Sequence, residues 1–304
     1  MFYMNIRHNT KKEKSSKNTY HYLTRTAHFA AHKDNEIVEF SESGNMPTWA
    51  QDSPMIFWKN ADQHEIERGR TSTVITIALP KELSKSHRAD LAKALLEQFV
   101  HVHKFPYTAV IHHHGSKLTG EEQPHLHLMY SERSLMDGID RPATQFFKQY
   151  RPKNPTKGGA PKLTANALGQ GKNQVNVFRA LTEKTMNAYL KRYAPTKTVV
   201  VNGQRLTVPN EVSCLSNVDY NKKYGTNLLD VPQIPRWKLH SADPNDQLDV
   251  KAQIQTIQAI REHNNYELYK EIYLQSLGIR SERKLEQATR QHQSLDDLDF
   301  DLDF

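Results

Sequence analysis

Residues 71–79, TSTVITIAL, are rich in β-branched side chains and are closed by Pro80. Such a run reads as a buried strand, which needs partner strands beside it and other elements covering it. Two further segments supply partners: FPYTAVIHHH (105–114) and PHLHLMYSE (124–132), joined by the polar loop GSKLTGEEQ. Between the first strand and this pair, Ser84 or Ser86 caps a helix running to about Val102. Its apolar residues Leu91, Leu95, Phe99 and Val102 recur at spacings of three and four. Upstream, residues 2–8 read as a short strand and Ser15 or Ser16 as the N-cap of a helix bearing Tyr20, Tyr22 and Leu23. Residues 58–68 read as a helix stopped at Gly69. Downstream come a short helix at 142–150, an irregular stretch at 151–172 and a helix at 174–193. This order predicts an α/β fold of the α+β type over residues 1–194, with a mainly antiparallel central sheet flanked by helices.

Beyond Pro195 the character changes. Asn202-Gly203, between TVVV and QRLTV, is the signature of a type I′ hairpin. With the irregular residues that follow, it makes a hairpin and linker over 195–243. A helical extension is expected over 244–292, its main helix running from about Gln247 to Leu277 before Gly278. An acidic tail, 293–304, holds five aspartates in its last ten residues. Apolar runs fall far short of the ~18 residues of a spanning helix. The N-terminus has no apolar core behind its charges, and Cys214 is the single cysteine. These features exclude secreted, membrane-inserted and disulfide-stapled classes and fit a cytoplasmic protein.

The formal charge is +7, unevenly spread. From Arg141 to Leu181 there is no acid, yet the stretch carries Arg141, Lys148, Arg151, Lys153, Lys157, Lys162, Lys172 and Arg179. Such a run repels itself unless a polyanion lies nearby. Seven of the sixteen histidines fall between His101 and His127. On a strand His125 and His127 share a face, as do His112 and His114, so pairing the two strands brings three imidazoles together as candidate ligands for a divalent cation. Spacing leaves His112 and His114 as alternatives for the third ligand. A nitrogen-rich set by itself favours Zn²⁺ or Ni²⁺. Tyr20 and Tyr22 lie about 200° apart on a helix, so at most one faces a given site.

Several motifs occur together and in order: HYLTRTAHF (21–29), ESGNMPTW (42–49), IALPKELS (77–84), FPYTAVIH, QPHLHLMYSER, DGIDRPATQFFKQY and TKGGAPK. Over about residues 15–162 the chain resembles the MobA/MobL family of plasmid-mobilisation relaxases, which are HUH-type enzymes. The resemblance implies the HUH relaxase fold and nicking of one DNA strand at an origin of transfer, leaving a 5′-phosphotyrosine that later rejoins the strand. It implies Tyr22 as nucleophile, His112, His125 and His127 as metal ligands, and Mn²⁺ or Mg²⁺ as the ion. It also implies Glu65 as a candidate base. Arg25, Lys148, Arg151, Lys153, Lys157 and Lys162 are then expected to contact single-stranded DNA. Auxiliary proteins at the origin and a secretion coupling protein are the expected partners, and the host is expected to be bacterial, with the gene on a plasmid. The alternatives are a rolling-circle replication initiator, disfavoured because Tyr22 precedes the histidine strands, and a non-catalytic DNA-binding repressor. Relatives often carry a carboxylate on the strand before ALP, where this chain has Val74 and Thr76.

Overall fold

Alternation along β3 (Arg70–Ala78) sorts side chains onto the two faces of a five-stranded antiparallel sheet. The computed structural model describes residues 2–30, 37–113, 122–235 and 237–278. The other strands are β1 (Met4–Thr10), β2 (Ile37–Gly44), β4 (Tyr107–His113) and β5 (His125–Tyr130), in the order β1-β3-β5-β4-β2. On one face Ile75 and Ile77 meet Leu128 and Leu126, which in turn oppose Ala109 and Ile111. Helices α3 (Lys85–Phe99) and α5 (Gln174–Tyr193) cover this face with Leu91, Leu95, Leu96, Phe99, Phe178, Met186 and Leu190. Each such side chain, fully buried, is worth roughly 1.5–3 kcal/mol over leaving it in water. The expected continuation of α3 through Val102 does not occur. The chain turns through a 3-10 segment, Lys104 adopts φ 47°, and Val102 is exposed.

The opposite face carries Val74, Val110 and Met129 beneath α1 (Ser16–Thr24), α2 (Pro54–His64) and the short α4 (Ala143–Phe146). Trp49, Phe57, Trp58, Phe146 and Phe147 form an aromatic cluster there. The Trp58 indole donates to Thr108 Oγ1 at 3.1 Å. Helix α2 begins four residues earlier than expected, because Pro54 suits a first helical position. It ends at His64, where Glu65 turns extended to reach a buried arginine. Gly69 accommodates that turn, since a Cβ there would lie 2.7 Å from Glu65 Oε1.

The hairpin forms as β6 (Thr196–Val201) and β7 (Gln204–Pro209), with Asn202 at φ 49° and Gly203 at φ 78°. Val201, Leu206 and Val208 pack against Tyr266, Tyr269, Ile272 and Tyr273 of α7 (Pro244–Ser276). Helix α6 (Asn217–Tyr224), between Ser216 and a left-handed Gly225, lies in a stretch that reads as irregular in sequence. Among the described residues, the hairpin and the chain from Leu215 to Gly278 group as one compact unit. Residues up to Pro195 and Asn210–Cys214 form the other, where Asn187 holds both the N–H and the carbonyl of Val212. The acidic tail and His114 lie outside the described residues. Among the described residues no helix is long and apolar enough to cross a membrane.

Candidate functional site

Nine residues make α1 too short to stand alone in water. Its stability comes from its surroundings. Ser15 caps it through the Asn18 N–H. Asp62 of α2 accepts from Ser15 Oγ at 2.7 Å and from the Ser16 and Lys17 amides at 2.8 and 3.0 Å. A carboxylate at a helix N-terminus both satisfies orphan donors and meets the positive end of the dipole. Along its buried side, Ser16 bonds Thr71 and Ser72, while Asn9 of β1 donates to Thr19 and Ser72. At the far end His112 donates from Nε2 to the Leu23 carbonyl at 2.6 Å.

That last bond docks the turn carrying Tyr22 against the histidine strands. His112 is opposite His125 in the β4–β5 pairing, and His127 follows two residues on, so all three share one face. The His112 and His127 ring centroids are 4.9 Å apart, and those of His125 and His127 are 6.4 Å apart. On the other side of His127, Thr76 of β3 is its cross-strand partner, with Oγ1 3.1 Å from Nδ1. The hydroxyl thus stands at one of the two positions where the family resemblance leads one to expect a carboxylate. Burial, with the neighbouring imidazoles, Arg7 and Arg25, holds His127 well below the usual histidine range, as the neutral form that ligates metals. His113 points to the other face, where Glu39 and Glu122 flank it at 2.8 and 3.3 Å.

Both tyrosines are half-buried against the aromatic cluster. The Arg25 guanidinium sits 4.5 Å over the Tyr22 ring, and its Nη1 donates to the Tyr22 carbonyl. Phe29 meets the same ring edge-on at 5.6 Å. Arg25 and Ala27, both at φ 54°, turn the chain sharply just after the helix.

In donor chemistry the three imidazoles fit a divalent cation: they are close, share a face, and His127 is kept neutral and oriented from behind. As they stand, however, no three His, Cys, Asp or Glu side chains among the described residues form a ready-made metal cage. The Leu23 carbonyl competes for His112 Nε2.

Other sequence-marked residues fall elsewhere. Glu65 is 2 % exposed and forms a bidentate pair with Arg133, which follows β5 at the end opposite His125. Lys162 is drawn inward to Glu65 and the Arg70 carbonyl. Arg141 is buried on Asp137. The run without acids is therefore partly neutralised by acids outside it. Lys148, Arg151, Lys153, Lys157 and Lys172 are exposed. Phe146 and Phe147, the aromatic residues beside Lys148, are core. Asp62, Thr76 and Arg133 carry no local signal of these roles, because each acts on residues distant in sequence.

The model of the MobA/MobL family matches residues 12–201, more than half of the chain. The 43 kDa relaxation protein of Salmonella typhimurium is 35% identical over 178 residues, covering 57% of this chain and 46% of that protein. Mobilization protein A of Escherichia coli is 40% identical over 144 residues, covering 47% of this chain and 19% of that protein. The chain thus aligns with less than half the length of either relative. A solved structure described as the molecular basis of vancomycin resistance transfer in Staphylococcus aureus superposes with a TM-score of 0.44 at 19% identity, over 64% of this chain and 94% of that one.

Proposed function

The chain belongs to the MobA/MobL family, and from that membership we propose that it is a mobilisation relaxase, nicking one DNA strand at an origin of transfer with Tyr22 as nucleophile. The Tyr22 phenolic oxygen attacks the scissile phosphorus, and the bond to the 3′ oxygen breaks. The phenol loses its proton and the departing 3′ oxygen gains one. One phosphoester replaces another, so the 5′-phosphotyrosine stores what rejoining requires. Arg25, over the Tyr22 ring, brings a fixed positive charge to the place where the phosphate must sit.

His112, His125 and His127 would hold a divalent ion, which would polarise a non-bridging phosphate oxygen and offset its developing charge. Mn²⁺ or Mg²⁺ accords with the family, and the all-nitrogen donor set also suits Zn²⁺ or Ni²⁺. Thr76 orients His127 for this task. The exposed Lys148, Arg151, Lys153 and Lys157 offer contacts to single-stranded DNA. A coupling protein of the secretion apparatus and auxiliary origin-binding proteins are the partners this role requires, and the work is done in the cytoplasm.

The observation that carries this reading is the coupling of His112, His125 and His127, together on one face of the sheet, to the end of the helix that presents Tyr22. A DNA-binding repressor needs no such coupling. Incubation with supercoiled plasmid bearing the origin and Mn²⁺ should yield nicked circles with protein attached through Tyr22. Binding without any covalent product would favour the repressor.

A further inference from the structure

Residues 147–160 set four exposed cations, Lys148, Arg151, Lys153 and Lys157, on one short loop. Left to itself such a loop would splay under its own repulsion. Here its backbone is tied down by two buried arginines wired alike. Arg133 places Nε and Nη2 on Glu65 and gives its remaining hydrogens to the carbonyls of Phe147, Lys148 and Ala160, at 2.7, 2.6 and 3.0 Å. Arg141 places Nη1 and Nη2 on Asp137 and gives its remaining hydrogens to the carbonyls of Gly158, Pro155 and Ile139, at 3.0, 3.0 and 3.3 Å. All five N–H donors of each guanidinium are engaged. The loop closes on itself through Gly159 N to Gln149 O and Ala160 N to Phe146 O. Gln145 reaches across to the Thr156 and Gly158 carbonyls. The return strand lies so close that a Cβ at Gly159 would stand 2.0 Å from the Lys148 carbonyl oxygen.

We propose that the Glu65–Arg133 and Asp137–Arg141 pairs make this loop a preformed phosphate-binding platform for the DNA strand, and that Glu65 is a positioning residue for it, not a base. The proposal rests on the DNA-nicking reading. Both Glu65 oxygens are occupied: Oε1 by Arg133 and the Ile66 amide, Oε2 by Arg133 and Lys162. A general base must reach the proton it takes, whereas Glu65 sits under the loop. Its charge keeps Arg133 in place, and Arg133 keeps the loop carbonyls in place. A platform ordered before binding does not incur the ordering cost that a floppy basic loop would meet on reaching DNA.

The test separates loop order from loop charge. Wild type, Glu65→Gln and Gly159→Ala are compared for binding of a single-stranded oligonucleotide between 50 and 200 mM salt, and for trypsin cleavage after Lys153 and Lys157. Neither variant removes a cation. Both should be cut faster by trypsin and bind about tenfold more weakly, with a log–log salt slope flatter by about 0.7 for each phosphate that the loop no longer neutralises. Gly159→Ala decides the matter should Glu65→Gln fail to fold, since it alters no buried charge. Wild-type affinity and slope in Gly159→Ala, with its trypsin sites opened, would overturn the platform. Glu65→Gln binding normally but nicking slowly with a shifted pH–rate profile would restore Glu65 as the base. These binding arms are independent of the covalent step: oligonucleotide binding with no Tyr22 adduct would sink the nicking proposal and leave the platform standing.

Discussion

Thr76 and Ile77 are neighbours on β3, as are His127 and Leu126 on β5, yet each pair is divided between two unlike faces. Toward α3 and α5 the sheet shows Ile75, Ile77, Ile111, Leu126 and Leu128, all fully buried. Toward α1 it shows Asn9, Ser72, Thr76, His112 and His127, joined by directional hydrogen bonds. Hydrocarbon packing is non-directional and tolerates small shifts. A hydrogen-bonded face fixes angle and register, at the cost of leaving expensive orphans whenever one partner is removed. Both faces bury hydrocarbon, but only the one toward α1 adds the hydrogen-bonded row that makes the sheet particular about where Tyr22 stands.

The sharpest way to break this comparison is Tyr22→Phe. The phosphotyrosine adduct should vanish on a denaturing gel while oligonucleotide affinity stays within about twofold, since one hydroxyl is removed and no cation. Tyr20→Phe should keep the adduct. On the other face Leu95→Ala should cost about 2–5 kcal/mol in denaturant unfolding. It should leave adduct formation intact below its melting range. Thr76→Val, nearly the same in shape, should cost about 1–3 kcal/mol in unfolding by orphaning the His127 nitrogen, and should weaken divalent-ion binding by roughly 10–100-fold in titration calorimetry. Equal effects of Thr76→Val and Ile77→Val on metal affinity would erase the distinction between the faces.

The smallest expected effect concerns acid. His8 lies 3.0 Å from Thr73 Oγ1, and burial together with Arg70 lowers its pKa from 6.5 to about 4. Between those values the unfolded chain holds a proton on this residue that the folded chain does not. Stability should therefore fall as pH drops from about 6.5 toward 4. His8→Gln should flatten that part of the profile, and a profile unchanged by the substitution would remove His8 from the account.

Much of this was legible in the residues. The β-branched run, the alternation of HLHL, the three-four spacing in α3 and the Asn-Gly turn each report a local periodicity that the fold keeps. Strand β2 was not legible, because IVEFSESG lies at a sheet edge with no buried residue and so has no strong alternation to show. Nor was α6, whose eight residues bury none. In the candidate site, residue types pointed to the histidines, and the family resemblance to Tyr22. The fates of Arg141, Lys162 and Glu65 were hidden. Asp137 lies just outside the stretch without acids, while Glu65 and Lys162 meet from nearly a hundred positions apart. Net charge in a window says how many cations there are, and only the fold says which of them still face water.

The way α1 is held has a practical corollary for anyone trimming the chain. A nine-residue helix gripped by Asn9 before it and Asp62 and His112 after it is not a portable cassette. The family match begins at residue 12, and a fragment cut there would lose both the β1 edge of the sheet and the Asn9 amide that spans Thr19 and Ser72. Grafting NTYHYLTR onto another scaffold would transplant the tyrosine without its address. The smallest piece that keeps its geometry has to start upstream of Met4 and run through α5, whose Phe178, Met186 and Leu190 cover the sheet.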